Sequence, residues 1–175
     1  FPNRCIHVEE DRAVVLPTPD APPSNNPYIS YNCLRQHAGT VVVANGSHVD
    51  PIIDKVSLGY GLRDALALAL LALDYERDQY NTPRIAAALD GPEGKGYLGI
   101  IADDRLAVRQ VVAVAGEAYL VATYERTDPT PIALKGVTAE ALCDALYTCE
   151  YEHPVAALVA LWDDGALRMA ARSAR

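Results

Sequence analysis

A β-branched run that ends in a glycine-containing turn limits the folds that this chain can adopt. Val41, Val42 and Val43 are followed by Asn45-Gly46-Ser47-His48, and Asp50-Pro51 then has the pattern of a helix start. A buried strand is therefore predicted to end in a polar turn and to lead into a helix. Because loops held by rigid elements often carry function, we expect this turn to border a ligand site.

The composition indicates one domain with an aliphatic core. The chain has 175 residues, 50% of them hydrophobic, with ten Tyr but only one Phe, one Trp and one Met. This length is enough to bury a continuous core, so residues 1–175 are expected to form a single domain. The net charge of −8 argues against a nucleic-acid partner, since such proteins need a basic face.

Cysteine spacing and hydropathy bear on the cellular compartment. The four cysteines form no CxxC pair and show no zinc-site spacing with histidine, which is typical of reduced thiols in a cytoplasmic protein. The longest apolar run, residues 65–73, is too short to cross a bilayer. We therefore expect a cytoplasmic protein with no membrane partner and no metal site.

Hydrophobic periodicity and turn residues predict an α+β fold with mostly antiparallel sheets. Strands are predicted at residues 12–16, 28–34, 40–44, 97–101, 106–114 and 118–124, with a hairpin of residues 155–162 and 166–171. Helices are predicted with Asp50 as N-cap, over residues 62–75 and over residues 138–147. The second helix is apolar on every face and should be buried on most sides. Residues 17–27 are predicted as a loop, and residues 84–89 fit either a short helix or a strand.

Two motif matches do not indicate a function. Ser47, His48 and Asp50 include the residue types of a catalytic triad, but neighbours on an extended chain point to opposite faces. The glycine-rich residues 91–96 contain a Gly-Lys pair without the following Ser or Thr and helix of a P-loop. We interpret that segment as a flexible loop tip.

The end of the long predicted helix carries a cluster of acids, and two interpretations stay open. The cluster comprises Asp74, Glu76 and Asp78. In the simpler interpretation this is a solvated helix end whose charge is compensated by Arg63, Arg77 or Arg84. In the other, Glu76 is held near a site with a raised pKa, as a general base or acid would need.

Several polar segments together resemble the archaeal-type IMP cyclohydrolase family. They occur in the family's order and span most of the chain: Phe1-Pro2-Asn3-Arg4, Asn26-Pro27-Tyr28-Ile29-Ser30-Tyr31-Asn32-Cys33, Asn45-Gly46-Ser47-His48-Val49-Asp50, Leu71-Ala72-Leu73-Asp74-Tyr75-Glu76, Asn81-Thr82-Pro83-Arg84-Ile85-Ala86 and His153-Pro154. The resemblance implies an N-terminal-nucleophile-hydrolase-like fold, a four-layer α-β-β-α sandwich. It also implies that neither the N-terminal nucleophile nor a metal or other cofactor is used.

The resemblance implies a dehydrative ring closure of 5-formamidoimidazole-4-carboxamide ribotide to IMP in de novo purine biosynthesis. The implied catalytic positions are Arg4, Tyr31, Asn45 and Glu76. We expect Glu76 to help move the carboxamide proton and Tyr31 to donate toward the departing oxygen, while Asn45 and Arg4 orient the reacting groups. The 5′-phosphate is expected to meet Arg84 or Lys55. Further substrate contacts are expected from Asn32, Gly46, Ser47, His48 and Tyr75.

Two other functions stay open on the sequence. An N-terminal-nucleophile amidohydrolase would need Ser, Thr or Cys at its processed terminus, which Phe1 disfavours. A non-catalytic purine nucleotide-binding module would keep the phosphate-binding cations without needing Glu76. The resemblance further implies a strand-containing segment ahead of Phe1 and a homo-oligomeric assembly.

Overall fold

The computed structural model describes residues 3–23, 29–112, 114, 117–149 and 151–174. Its elements follow the predicted order of strands, a helix pair, more strands, a helix and a hairpin. The helices are α1 (Val49–Ser57), α2 (Leu62–Leu73) and α3 (Ala139–Tyr147). The strands are β1 (Arg4–Val8), β2 (Arg12–Pro17), β3 (Tyr31–His37), β4 (Thr40–Ala44), β5 (Arg84–Asp90), β6 (Lys95–Ala102), β7 (Arg105–Val112), β8 (Ala118–Leu120), β9 (Thr130–Ile132), β10 (Ala156–Asp163) and β11 (Ala166–Ser173). Within the described ranges, no helix is long and apolar enough to span a membrane.

One sheet dominates the architecture. Strands β1 to β7 form a seven-stranded meander in which each strand is paired antiparallel with the next. Two further antiparallel pairs, β8–β9 and β10–β11, form small separate sheets. The prediction of an α+β protein with mostly antiparallel sheets is therefore confirmed, and residues 84–89 belong to a strand.

Both faces of the central sheet are covered at β4. Successive side chains of this strand point in opposite directions and therefore enter different clusters. Val42 packs with Ile52 of α1 and Leu66 of α2 in one buried cluster. Val41 lies in a second cluster, where it is joined by side chains of the β10–β11 hairpin such as Leu158. The end of β4 is therefore anchored from two sides, which fixes the position of the turn that follows it.

The β10–β11 hairpin is fastened at its tip by the single tryptophan. A Cβ added to Gly91, in the turn between β5 and β6, would lie only 2.2 Å from Cδ2 of Trp162. The Trp162 ring therefore rests directly on the Gly91 backbone and also approaches Gly39 in the β3–β4 turn. The prediction of a flexible loop tip misses this packing, since the first glycine of the segment serves a close approach rather than mobility.

The helix α2 differs from its prediction at its end and on its outer face. It ends at Leu73, because Asp74 adopts a positive φ of 60° and leaves the helical conformation. Its inner face is fully buried, but Leu71 is 62% exposed and Leu68 and Leu73 are also exposed. The prediction of burial on most sides is therefore wrong for this outer face.

Helix α1 begins earlier than its prediction. His48 occupies the N-cap position and the helix starts at Val49, so Asp50 lies in the first turn. The Asp50 carboxylate does not cap the helix, because it accepts hydrogen bonds from Asn32 and Arg35 on β3. The predicted Asp50 N-cap is therefore wrong.

Several strand predictions also need correction. Strand β3 runs from Tyr31 to His37, later than predicted, and Tyr28 lies outside the described residues. The predicted strand at residues 118–124 is shorter, and it pairs with β9 rather than extending the meander. Strands β1 and β9 were not predicted at all. Part of the predicted loop, residues 24–27, lies outside the described residues.

Candidate functional site

A cleft of about 840 Å³ opens beside the ends of β4 and β5. This volume is typical of small-molecule sites. Its lining comes from sequence-distant segments: Arg4, Tyr31, Asn45, Gly46, Ser47, Tyr75, Glu76, Arg77, Asp78, Gln79, Tyr80, Thr82, Arg84 and Tyr124. All four predicted catalytic residues are in this lining, and so are the predicted contacts Gly46, Ser47, Tyr75 and Arg84. The segments that the sequence suggested as one site therefore meet in space.

Three predicted substrate contacts are not part of this lining. The Asn32 amide donates to Asp50 Oδ1 at 2.9 Å. Lys55 lies on α1 with its ammonium 5.8 Å from the centroid of the Tyr60 ring. His48 is only 1% exposed and lies beneath the turn that carries Gly46. The structure does not bring these three side chains to the cleft.

Arg84 contacts both Glu76 and the backbone of Asp74 in the cleft. Its Nη1 donates to Glu76 Oε1 at 2.9 Å, and its Nε donates to the Asp74 carbonyl at 2.8 Å. The Arg84 side chain is only 15% exposed, whereas Glu76 is half-buried. Arg84 thus supplies the charge compensation of the simpler interpretation of the acid cluster, and it also fixes the orientation of the Glu76 carboxylate.

Asp74 aims its carbonyl at Arg84 through a strained backbone. Its φ of 60° and ψ of 178° lie in a region that is nearly restricted to glycine. The side chain helps to hold this conformation, since Oδ1 accepts from the Tyr75 N–H at 2.9 Å and Oδ2 from Arg77 at 2.8 Å. Such strain costs about 1–3 kcal/mol and clusters at functional sites.

Replacement of Asp74 should reveal this strain. Both Asp74→Ala and Asp74→Gly remove the side-chain contacts, but only glycine relieves the backbone, so Asp74→Gly should be more stable by about 1–3 kcal/mol. Urea unfolding measures the difference. The same pair at Asp64, inside α2, should show the opposite order by about 1 kcal/mol, because glycine weakens a helix. Equal stability of the two Asp74 variants would contradict the strain.

Asn45 connects three segments at the floor of the cleft. Its Nδ2 donates to the Pro83 carbonyl at 3.0 Å and to Thr123 Oγ1 at 3.2 Å, while its Oδ1 accepts from the Ile85 N–H at 3.0 Å. An asparagine amide has two N–H donors, and both are engaged here. Asn45 therefore fixes the start of β5 beside the end of β4.

Tyr31 remains a phenol at neutral pH. Burial raises the pKa of Tyr31, and the nearby Arg4 guanidinium, which also hydrogen-bonds to it, opposes this rise only in part. A protonated phenol beside a cation is a hydrogen-bond donor suited to an oxygen that gains negative charge.

A second network along the cleft was missed by the sequence analysis. The Thr82 hydroxyl donates to Asp78 Oδ2 at 2.7 Å, and Tyr124 Oη lies 2.7 Å from Thr82 Oγ1. Since the single Thr82 hydrogen is used by Asp78, Tyr124 is the donor in the second bond. Thr82 lies in one of the segments that resemble the family, and Asp78 lies two residues after another. No local pattern indicated that Tyr124 would reach them.

His48 is buried as a neutral imidazole. Its Nε2 lies 2.9 Å from the Ile85 carbonyl, so Nε2 carries the proton and Nδ1 has a lone pair. Burial lowers the pKa of His48 from 6.5 to about 4, the bond to Ile85 opposes this shift, and the charge of Arg84 adds to it. His48 is therefore uncharged at neutral pH.

The pKa of His48 predicts a pH-dependent stability. Between about pH 6.5 and pH 4 the unfolded chain binds a proton at this residue that the folded chain does not, so stability falls as the pH is lowered. The loss should reach about 3 kcal/mol and should be absent in His48→Asn. Urea unfolding at several pH values measures it. The exposed His37 gives the control, since His37→Asn should keep the wild-type slope, and an equal slope in His48→Asn would contradict the assignment.

The structure is that of an α+β protein with a cleft of small-molecule size at the rim of an antiparallel sheet. A family model described as "IMP cyclohydrolase-like protein" matches residues 1–166, and the chain belongs to this family. The resemblance to archaeal-type IMP cyclohydrolases is therefore confirmed.

Curated relatives support the same family. An IMP cyclohydrolase of Haloquadratum walsbyi is 48% identical over 159 residues, covering 90% of this chain and 77% of the relative. One from Natronomonas pharaonis is 50% identical over 158 residues, covering 90% and 79%. One from Methanothrix thermoacetophila is 37% identical over 175 residues, covering 100% and 87%. The similarity thus extends over most of both partners.

Proposed function

We propose that this chain closes the purine ring of 5-formamidoimidazole-4-carboxamide ribotide to give IMP, and that the cleft is the active site. The relatives bear the name of this activity. The observation that carries the assignment of the site is the convergence of Arg4, Tyr31, Asn45 and Glu76 on one cleft of nucleotide size. These residues come from separate segments of the chain, so a shared pocket is not a consequence of their sequence positions.

The reaction is intramolecular and needs orientation and proton transfer. The carboxamide nitrogen attacks the formyl carbon and a C–N bond forms. The bond between the formyl carbon and its oxygen then breaks, and the oxygen leaves as water with one proton from the carboxamide nitrogen and one from the formamide nitrogen. An amide nitrogen is a poor nucleophile, so holding the two groups in a reactive geometry lowers the barrier by several kcal/mol. Donors aimed at the formyl oxygen stabilise the developing negative charge by about 3 kcal/mol each.

Glu76 is the group proposed to accept the carboxamide proton. Its carboxylate is oriented by Arg84 at 2.9 Å and lines the cleft. Tyr31 is the proposed donor to the departing oxygen, because burial keeps its phenol protonated. Arg4 lies next to Tyr31 and is proposed to orient the oxygen that accepts the proton. A base and a donor on one cleft are the minimum that this condensation requires.

Asn45 is proposed to orient the formyl group by exchanging one partner. Its bond to Thr123 Oγ1 is the longer of its two donor contacts, at 3.2 Å against 3.0 Å to Pro83. A formyl oxygen that takes the place of Thr123 would leave the bonds to β5 intact. Asn45 would then connect the substrate directly to the strand that carries Arg84.

Arg77 is the cation that we assign to the 5′-phosphate. Arg84 already donates hydrogen bonds to Glu76 and to the Asp74 carbonyl. Lys55 is not part of the cleft lining. Arg77 lines the cleft and is 76% exposed, with Asp74 as its ion-pair partner. Guanidinium groups suit phosphate because they donate two parallel hydrogen bonds.

The proposal includes the family's four-layer arrangement and a homo-oligomer. Its support is the packing of α1 and α2 on the central sheet, of the β10–β11 hairpin in a second cluster, and of α3 on that hairpin. The exposed leucines on the outer face of α2 support a self-association surface. A single domain and a cytoplasmic location complete the proposal.

Ultraviolet monitoring of ribotide conversion to IMP tests the proposed function. Catalysed conversion that saturates with ribotide is expected from the purified chain. Tight IMP binding without conversion would instead indicate a non-catalytic nucleotide-binding module. An intact-mass measurement that shows a mature chain beginning at Ser, Thr or Cys would favour the N-terminal-nucleophile amidohydrolase.

A further inference from the structure

We infer that His48 is a positioning residue for Arg84, acting through one ordered water molecule in the space that Gly46 leaves beside both side chains. The inference rests on the proposed function insofar as Arg84 holds Glu76, the proposed base. It assigns a role to a histidine that lies beneath the cleft and does not line it.

His48 has a buried hydrogen-bond acceptor, its Nδ1 atom. His48 is only 1% exposed, and its Nε2–H is used by the Ile85 carbonyl at 2.9 Å. Its Nδ1 is therefore an acceptor, and this atom is buried with no hydrogen-bond partner among the residues that the structure describes. A buried polar atom left unsatisfied costs about 1–3 kcal/mol, so such atoms are generally paired with protein or ordered water.

Gly46 lies beside both His48 Nδ1 and Arg84 Nη1. A Cβ added to this glycine would lie 3.3 Å from His48 Nδ1 and 3.6 Å from Arg84 Nη1. The two nitrogens therefore flank the same point, on the side of Gly46 where other residues carry a side chain. A water molecule beyond that point, at van der Waals distance from the Gly46 Cα, can accept from the guanidinium and donate to Nδ1, which gives it the two polar partners that a buried water needs.

The water bridge adds a third hydrogen bond to the Arg84 guanidinium. Its Nε and Nη1 are already bonded to the Asp74 carbonyl and to Glu76. A further bond on the Gly46 side fixes the plane of the guanidinium from a third direction. Because Glu76 is oriented by this plane, the bridge sets the direction of the carboxylate within the cleft. Small displacements of a catalytic group have large effects on rate.

Gly46→Ala tests the bridge, because its methyl group, in tight contact with His48 Nδ1 at 3.3 Å, would exclude a water molecule from the space between the two nitrogens. Substitution is compatible with the backbone, since Gly46 is not among the glycines with a positive φ. The expected result is a fall in kcat of about tenfold with KM changed less than about twofold. The matched control is Gly96→Ala, whose Cβ would make ordinary contacts in β6 and which should keep the wild-type kcat.

A spectroscopic measurement keeps the test independent of activity and of stability. The chain has four histidines, so ¹⁵N-histidine labelling resolves the ring nitrogens of His48. The Nε2–H signal should stay in place in Gly46→Ala, while the Nδ1 signal should move toward that of an acceptor without a partner. His48→Gln, which can keep the bond to Ile85, should reproduce the loss of kcat.

The outcomes separate this inference from the proposed function. A wild-type chain that shows the hydrogen-bonded Nδ1 signal but no ring closure would contradict the function and leave the bridge in place. An active wild type in which Gly46→Ala keeps both the Nδ1 signal and kcat would overturn the bridge alone. A loss of melting temperature with unchanged kcat would show a merely structural histidine, and would also overturn the positioning role.

Discussion

Glu76→Gln should lower the kcat of ring closure by about 10²–10⁴-fold, with little change in KM, because it removes the proposed proton acceptor and keeps the shape of the side chain. The glutamine oxygen can still accept the bond from Arg84 that Glu76 Oε1 accepts at 2.9 Å. The loss would therefore reflect proton transfer rather than a collapse of the cleft. Steady-state kinetics followed by ultraviolet absorbance measure both constants.

Glu93→Gln is the matched control for this prediction. Glu93 also pairs with a cation, since its carboxylate lies 2.7 Å from Lys95 Nζ, but it lies in the β5–β6 turn and not in the cleft lining. The control should keep the wild-type kcat and KM. If Glu76→Gln is as active as the control, Glu76 has no place in the proton path.

Gly91→Ala should lower the free energy of unfolding by about 3 kcal/mol or more. The added Cβ would lie 2.2 Å from Cδ2 and 2.4 Å from Cε2 of Trp162, far inside van der Waals contact. Trp162 lies on a paired strand, opposite Leu167 of β11, and the atoms met belong to its rigid ring rather than to the far end of a flexible side chain. Overpacking of this kind typically costs 1–3 kcal/mol. A loss of about 3 kcal/mol or more is expected here, because the alanine Cβ is fixed to the backbone and the aromatic ring that it would meet is rigid.

The single tryptophan makes this second prediction easy to measure. Urea unfolding followed by Trp162 fluorescence reports directly on the contact. Gly96→Ala, five residues further along, is the control, because its nearest neighbour would be the Val111 carbonyl oxygen at 3.4 Å. The control should change stability by less than about 1 kcal/mol. A Gly91→Ala variant as stable as the control would contradict the packing of Trp162 on the glycine.

Local patterns predicted those elements whose structure is set by their own residues. Thr40–Ala44 is a β-branched run buried on both faces, and its bounds agree with the prediction. The β10–β11 hairpin and α3 likewise follow their turn and capping residues, with Thr138 accepting from the Ala141 N–H at the start of α3. In each case the deciding contacts are local in sequence.

Elements set by distant contacts were predicted poorly. The Ile6 N–H on β1 donates to the Ser173 hydroxyl on β11, a partner that no local window contains. Asp50 looks like an N-cap, but its carboxylate is taken by Asn32 and Arg35 on a neighbouring strand. The end of α2 depends on the strained conformation at Asp74, and residue type alone does not indicate such a conformation.

The sequence named residues that lie together in one cleft but did not predict the contacts between them. The resemblance selected Arg4, Tyr31, Asn45 and Glu76, and all of them line the cleft. Sequence reasoning offered Arg84 both as a compensating charge for the acid cluster and as a phosphate ligand, but it did not predict the hydrogen bonds that Arg84 donates to Glu76 and to the Asp74 carbonyl. Hydrogen-bond partners depend on side-chain directions after folding, so a linear pattern can name the participants without their connections.

A crystal structure of the chain with IMP bound would decide whether the cleft is the active site. We predict the purine ring in the cleft, with the ring N–H that derives from the carboxamide within hydrogen-bonding range of Glu76. The neighbouring carbon, which has lost its oxygen, should lie beside the Tyr31 hydroxyl, and the phosphate should lie at Arg77. The guanidinium of Arg84 should keep its contacts with Glu76 and Asp74. IMP bound outside this cleft, or bound with Tyr31 and Glu76 both remote from the purine, would contradict the account.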